Sequence, residues 1–127
     1  GILKNKKTIS ILGVAFKKDT SDIREATSIK LIEILLQKKM NIKIHDPMAI
    51  ENFKKIFGKR LSYCETVTKC LDNSDCCIIL TGWDEYKKLK PIIFKKYMNN
   101  VNVVDAQRIL SPNDFKNINF RAIGLGK

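Results

Sequence analysis

Apolar runs of strand length, rich in β-branched residues, recur along the chain: Thr8 to Gly13 (TISILG), Ile42 to His45 (IKIH), Cys76 to Thr81 (CCIILT) and Val101 to Ala106 (VNVVDA). Two weaker runs, Leu61 to Cys64 (LSYC) and Phe120 to Gly124 (FRAIG), read as further strands. Between the first two strong runs, SIKLIEILLQKK places Ile29, Ile32 and Leu36, with Leu35 beside them, on one face at helical spacing. Strands that alternate with helices predict a mainly parallel sheet covered on both sides. The expected fold is a three-layer, Rossmann-like, doubly wound α/β domain of five or six strands, with 3-2-1-4-5-6 as the strand order usual for that class.

Local punctuation fits this order. Asp46 followed by Pro47 reads as an N-cap and a first helical proline, opening MAIENFKKIFGK, and Gly58 supplies a stop. Thr81, with Asp84 and Glu85 just after it, reads as the opening of another short helix with acids near its positive end.

One connection is out of proportion. GVAFKKDTSDIREATS, Gly13 to Ser28, is mostly polar and separates the first strand from the first helix, whereas such connections usually take about two to six residues and longer ordered ones tend to be functional. In an open α/β sheet, ligands bind beyond the carboxyl ends of the strands. The polar clusters AFKKDTSDIRE, HDP, TGWDE and DAQRIL all lie at such ends. Lys17, Lys18 and Arg24 from the long loop, with Arg108 from a distant one, suit a phosphorylated ligand, because Arg offers a planar fork and Lys a mobile point charge. A purely local alternative stands beside this: Asp19, Asp22 and Glu25 are available to pair with the same cations and order the loop. The chemistry of the residues leaves the two readings open.

Nucleotide-site templates narrow the field. Gly13 stands alone where a dinucleotide fold needs GxGxxG, and GLGK at Gly124 to Lys127 lacks both the preceding GxxxxG spacing and the following Ser or Thr of a P-loop. The first strand ends in Gly-Val-Ala-Phe, without the paired acids of a phosphoacceptor receiver domain.

Composition changes the picture in three places. A chain of 127 residues, 44% hydrophobic, is sized for one domain with one core. The formal charge of +11 raises the question of nucleic acid. The excess is nearly all lysine, in scattered pairs such as Lys6-Lys7, Lys38-Lys39, Lys54-Lys55, Lys87-Lys88 and Lys95-Lys96, with no helix-turn-helix or RNP-like signature, and reads as a solvated surface. Cys64, Cys70, Cys76 and Cys77 show no CxxC spacing and the sole histidine, His45, sits in a different element, so buried reduced thiols are expected and no metal site. No apolar run reaches the roughly 18 to 20 residues of a membrane span, and the amino terminus lacks a signal-peptide core, so a cytoplasmic protein without membrane partners is expected.

The motifs taken together resemble a known family. ILGVAFKKDTSDIREATSIKLIEILL is similar to the opening of the carboxyl-terminal, UDP-binding domain of the UDP-glucose/GDP-mannose dehydrogenase family. The similarity continues through IHDP, CCIILTGWDEYKKL, VVDAQRIL and FRAIGLGK, nearly the whole chain, with Phe-Lys-x-x-Thr-x-Asp-x-Arg-Glu, Phe16 to Glu25, as its most specific part. The wording KKDTSDIREA and WDEY leans toward the UDP-glucose 6-dehydrogenases within it.

The resemblance implies roles. Phe16 and Lys17 would lie against the bound nucleotide sugar, Arg24 would reach the NAD cofactor, and Arg108 would touch the substrate. Asp22 is read as a loop-ordering partner. The full-length enzymes oxidise the sugar C6 hydroxyl to a carboxylate in two NAD-dependent hydride transfers through a thioester on a catalytic cysteine. That cysteine and the GxGxxG that binds most of the NAD belong to preceding domains, and none of the four cysteines here matches its motif. The resemblance therefore implies residues 1–127 as one nucleotide-sugar-binding domain of a longer, homo-oligomeric enzyme, inactive alone, with a UDP-sugar, NAD and the amino-terminal and central domains as partners. Departures are Gly82 for a frequent Glu, His45 for the usual Tyr, and Gln107 before Arg108. Trp83 is expected to pack under a loop in preference to stacking on a base, and His45 to be a strand-end histidine in preference to a proton shuttle. The alternative from another class is a free-standing basic α/β module that binds RNA or another polyanion without catalysis.

Overall fold

A computed structural model describes residues 6–15, 18–19 and 27–123. The elements run β1 (Thr8–Leu12), α1 (Thr27–Gln37), β2 (Asn41–His45), α2 (Ile50–Phe57), β3 (Ser62–Tyr63), α3 (Val67–Leu71), β4 (Cys76–Ile79), α4 (Asp84–Lys87), α5 (Pro91–Tyr97), β5 (Asn102–Asp105) and β6 (Asn119–Ala122). Single 3-10 turns occupy Gly58–Arg60 and Pro112–Phe115. The six strands form one sheet in the order β3-β2-β1-β4-β5-β6, and every neighbouring pair is parallel. The expected class and order are both observed, and both weak strand candidates are strands.

The register explains the sequence pattern. β1 lies between β2 and β4, pairing Ile11 with Ile44 on one side and with Ile78 on the other. A central strand covered on both faces has no wet side, which is why TISIL reads as a continuous apolar run. Right-handed crossovers place α1 and α2 on one face and the helices that follow β3 on the other, because the chain reverses its direction across the sheet after β3. On the first face Phe53 and Phe57, one helical turn apart in α2, are buried and stack with centroids 5.7 Å apart. On the second, Phe94 of α5 meets Phe115 edge-on at 5.7 Å, and Phe115 stacks on Phe120 of β6 at 4.7 Å.

Two helix openings differ from expectation. Pro47 to Ala49 form a turn, and α2 begins only at Ile50. The capping chemistry is nevertheless present: Met48 and Ala49 N–H both donate to Asp46 Oδ1 at 2.9 Å, the bonds an N-cap acid makes. The backbone at Ala49 (φ −100°, ψ 2°) departs from helical values, so the regular ladder starts one turn late. Thr81 does not cap α4 either. Trp83 precedes that helix, and the Thr81 hydroxyl instead donates to Ala15 O at 2.9 Å. Gly58 does stop α2, with φ +54°.

The four cysteines are unpaired. Cys70 and Cys77 are buried but Cys64 and Cys76 are half-exposed, which corrects the expectation that all four lie inside. Cys76 sits in β4 pointing away from its neighbour's fully covered face, so the alternation of a strand separates the two. Among the described residues, no group of three or more His, Cys, Asp or Glu side chains is placed to hold a metal ion, and no helix is long and apolar enough to cross a membrane.

Candidate functional site at the carboxyl ends of the strands

The strand order reverses between β1 and β4, and the loops leaving β1, β2, β4 and β5 meet at that switch point. A single buried acid organises three of them. Asp46, at the end of β2, accepts five N–H donors: Val14 N at 2.8 Å, Ala15 N at 3.0 Å and Trp83 Nε1 at 3.1 Å on Oδ2, and Met48 N and Ala49 N on Oδ1. A carboxylate that collects this many donors is compensated for leaving water, since each charge-assisted hydrogen bond contributes about 1.5–3 kcal/mol.

The remaining ties extend the network. Ser28 Oγ donates to Val14 O at 2.8 Å, so α1 holds the start of the long loop. Gly13 adopts φ +87°, and a Cβ there would stand 2.5 Å from Thr81 Cβ and 2.8 Å from Thr81 N. Only glycine permits that approach of the β1 and β4 loops. From the β4 loop the chain of contacts passes to β5: Gln107 Nε2 donates to Leu80 O at 2.8 Å, and Gly82 faces Gln107 and Ile109.

Arg108 lies at the apex of the β5 loop. Asp105, fully buried, takes Gln107 N on Oδ1 at 3.1 Å and Leu110 N on Oδ2 at 2.8 Å, folding residues 105–110 into a tight arc. The arc forces Arg108 to φ +55°, a region that non-glycine residues visit at a cost of about 1–3 kcal/mol, and leaves its side chain exposed. The guanidinium thus stands in solvent at the carboxyl end of the sheet.

Lys18 also reaches this rim, pairing with Asp84 at 3.2 Å, and Lys87 reaches the same carboxylate at 3.3 Å. Both lysines hold the Asp84 carboxyl below its usual range. The pair is exposed, so it contributes little to stability and serves to bridge the β1 loop to α4. Lys18 thus makes a pairing between loops, while Asp22 and Glu25, the partners of the purely local alternative, lie outside the described residues.

His45 and Trp83 are structural. Trp83 is buried with its indole N–H on Asp46, as expected for an aromatic packed under a loop. His45 is buried beside Tyr86, with Nδ1 at 2.8 Å from Tyr86 Oη, and Tyr86 Oη lies 3.1 Å from His45 O. One proton assignment satisfies both contacts: Tyr86 O–H donates to the carbonyl and His45 Nδ1–H donates to Tyr86 Oη. Burial pushes the His45 pKa down, against the pull of Glu85 and Asp46, and burial pushes the Tyr86 hydroxyl far up.

Of the residues singled out from the sequence, Arg108 stands on the rim; Phe16, Lys17, Asp22 and Arg24 lie outside the described residues. Sequence reading missed the anchoring roles of Asp46, Thr81 and Asp105. The signal available for two of them was an acid as the last or next residue of an apolar strand.

Comparison with known proteins decides what this arrangement belongs to. Residues 10–112 match the family model described as UDP-glucose/GDP-mannose dehydrogenase family, UDP binding domain. The chain belongs to the UDP-glucose/GDP-mannose dehydrogenase family. It is 33% identical over 105 residues to UDP-glucose 6-dehydrogenase TuaD of Bacillus subtilis, covering 83% of this chain and 23% of that protein. It is also 33% identical over 121 residues to the UDP-glucose 6-dehydrogenase of Rickettsia bellii, covering 94% and 28% respectively. Among solved structures, a UDP-glucose dehydrogenase from Pyrobaculum islandicum superposes with a TM-score of 0.75 at 27% identity, over 94% of this chain and 25% of that one. The chain thus spans about a quarter of the length of the dehydrogenases it matches. The rim at the β1, β4 and β5 loops lies at the carboxyl ends of the strands, where open α/β sheets commonly bind their ligands.

Proposed function

We propose that this chain caps the nucleotide half of a UDP-sugar in an NAD-dependent nucleotide-sugar 6-dehydrogenase, UDP-glucose being the substrate favoured. The observation that carries the reading is Arg108, exposed at the strained apex of a loop that Gln107 fastens to the β4 loop. Its planar fork suits a diphosphate, and Phe16 and Lys17 of the long loop are assigned to the same ligand by their family resemblance.

The backbone makes side-chain recognition necessary. In a dinucleotide fold the amides after the first strand approach a pyrophosphate, and an acid near the end of the second strand binds a ribose. Here the Val14 and Ala15 amides point inward at Asp46, and Asp46 is itself taken up by five donors. The same facts argue that these residues do not form a dinucleotide site. NAD would be held mainly by other domains of the enzyme, with Arg24 as this chain's contribution. Hydride transfer and thioester chemistry fall outside its residues, so in a steady-state assay with UDP-glucose and NAD the 127-residue chain forms no NADH; measurable turnover overturns that part of the proposal.

Calorimetric titration of UDP and UDP-glucose tests the ligand. Binding to the wild-type chain, weakened about tenfold or more in Arg108→Ala, is expected from loss of one charge-assisted contact. Equal affinity of the two proteins, or no heat at millimolar UDP, would sink the proposal.

A further inference from the structure

The opposite end of the sheet carries a concavity. Where β1, β2 and β3 begin, at Thr8, Asn41 and Ser62, a cleft of about 680 Å³ opens, a volume within the roughly 300–1,000 Å³ common for small-ligand sites. Among the described residues five cations line it, Lys6, Lys39, Lys43, Lys59 and Arg60, against one acid, Asp72. They come from separate stretches of sequence. The parallel sheet gathers them, because it brings the amino ends of β1, β2 and β3 side by side.

Two of these cations are pre-positioned without being neutralised. Lys43 Nζ donates to the backbone carbonyl of Asp72 at 2.8 Å. Arg60 donates from Nε to Phe57 O and from Nη2 to Ile56 O, both at 3.3 Å, while its guanidinium lies 5.0 Å from the centre of the Phe57 ring. Those bonds use two of the five N–H groups that a guanidinium carries. The ion pairs among the described residues engage Lys18, Lys54, Lys69 and Lys87, none of which lines the cleft. Like charges held in one concavity repel each other, and an anion carrying several charges relieves that repulsion.

The shape and lining select the class of anion. Among the described residues no aromatic ring lines the cleft, and they offer it no stacking platform of the kind on which single-stranded nucleic acid is held. The five cations gather around one open hollow. We infer that this cleft binds a compact anion bearing two or more phosphate groups, at a site separated by the length of the strands from the Arg108 rim.

The test is a calorimetric titration of the 127-residue chain with inorganic tripolyphosphate, alongside UDP and a short single-stranded RNA. Tripolyphosphate is expected to bind, and to lose severalfold in affinity as salt rises from about 50 to about 200 mM. The double substitution Lys43→Gln with Lys59→Gln should weaken it at least tenfold, while Arg108→Ala leaves it unchanged and lowers affinity for UDP. The pair Lys39→Gln with Lys59→Gln, at two exposed positions, gives the same readout should the half-buried Lys43 change disturb folding. Absence of binding, an equal loss in the distant control Lys95→Gln with Lys96→Gln, abolition by Arg108→Ala, or tighter binding of RNA than of tripolyphosphate would each overturn the inference. Failure of UDP alone to bind bears on the rim and leaves this site standing.

Discussion

Trp83 Nε1 lies 3.1 Å from Asp46 Oδ2, and through that contact the loop after β4 is tied to the end of β2 across the first strand of the sheet. The bond joins two residues 37 positions apart in sequence, and it completes the set of five donors around one buried carboxylate. Asp46 thereby ties the start of the β1 loop, the turn after β2 and the β4 loop to one another.

Asp46→Ala should therefore be among the most damaging single substitutions, costing more than about 3 kcal/mol, since it leaves four backbone amides and an indole N–H without their acceptor. Trp83→Phe removes one donor and preserves most of the packing, for a cost of about 1–2 kcal/mol. Urea unfolding curves of the two variants against wild type measure both. A near-neutral Asp46→Ala would show that the loops do not depend on the carboxylate.

Gly13→Ala places a methyl 2.5 Å from Thr81 Cβ on a backbone at φ +87°. Steric overlap and the left-handed conformation act together, and a loss of at least about 2 kcal/mol is expected. Thermal melts followed by far-ultraviolet circular dichroism report it.

Arg108 offers a way to separate strain from binding. At φ +55°, glycine is favoured over alanine by about 1 kcal/mol. Arg108→Gly should accordingly be more stable than Arg108→Ala, while both lose UDP affinity to a similar degree. An Arg108→Ala protein more stable than Arg108→Gly would contradict the backbone conformation at this apex.

Stability should depend on pH through the single histidine. Burial lowers the His45 pKa in the folded protein, so below about pH 6.5 the unfolded chain takes up a proton that the folded one resists. Stability is full above that pH and declines as the pH falls through the folded value, by at most about 1.4 kcal/mol per pH unit. The lowered Asp84 and Asp75 carboxyls add their losses only in more acidic solution. In His45→Asn the decline between about pH 6.5 and 5 should vanish. Chemical denaturation across this range decides the point.

Thiol reactivity should be graded. Contact with the Cys70 thiol, offset by burial and aided by Lys43 and Lys69, brings the half-exposed Cys64 down to about 7. Burial pushes Cys76 up and Cys77 far up, and Cys70 is raised by its contact with Cys64 and by burial. Iodoacetamide near neutral pH should therefore modify Cys64 first, as read by peptide mass mapping. Preferential labelling of Cys77 would contradict the packing of β4.

The sheet was legible because its determinants are local. Runs such as TISIL and CCII need only β-branched residues in sequence, and the strand order follows from the habit of the class. What escaped depends on elements meeting in space. Asp46 reads as a helix cap in HDP, and does bind Met48 and Ala49, but its three other donors arrive from Val14, Ala15 and Trp83. Thr81 looked like a helix opener because its partner, Ala15 O, lies 66 positions away. The lysines read as scattered, yet Lys39, Lys43 and Lys59 become neighbours once β2 and β3 begin at the same edge. Arg108 was found by resemblance and by its place after a strand; its left-handed backbone has no signature in DAQRIL.

The brevity of β3 has a consequence for how these molecules behave at high concentration. With only Ser62 and Tyr63 in the ladder, that border of the sheet presents two rungs to solvent, too few for another molecule to zip onto. Growth of intermolecular sheets would have to begin at the far border, on β6, where Arg121 interrupts any apolar stacking with a positive charge.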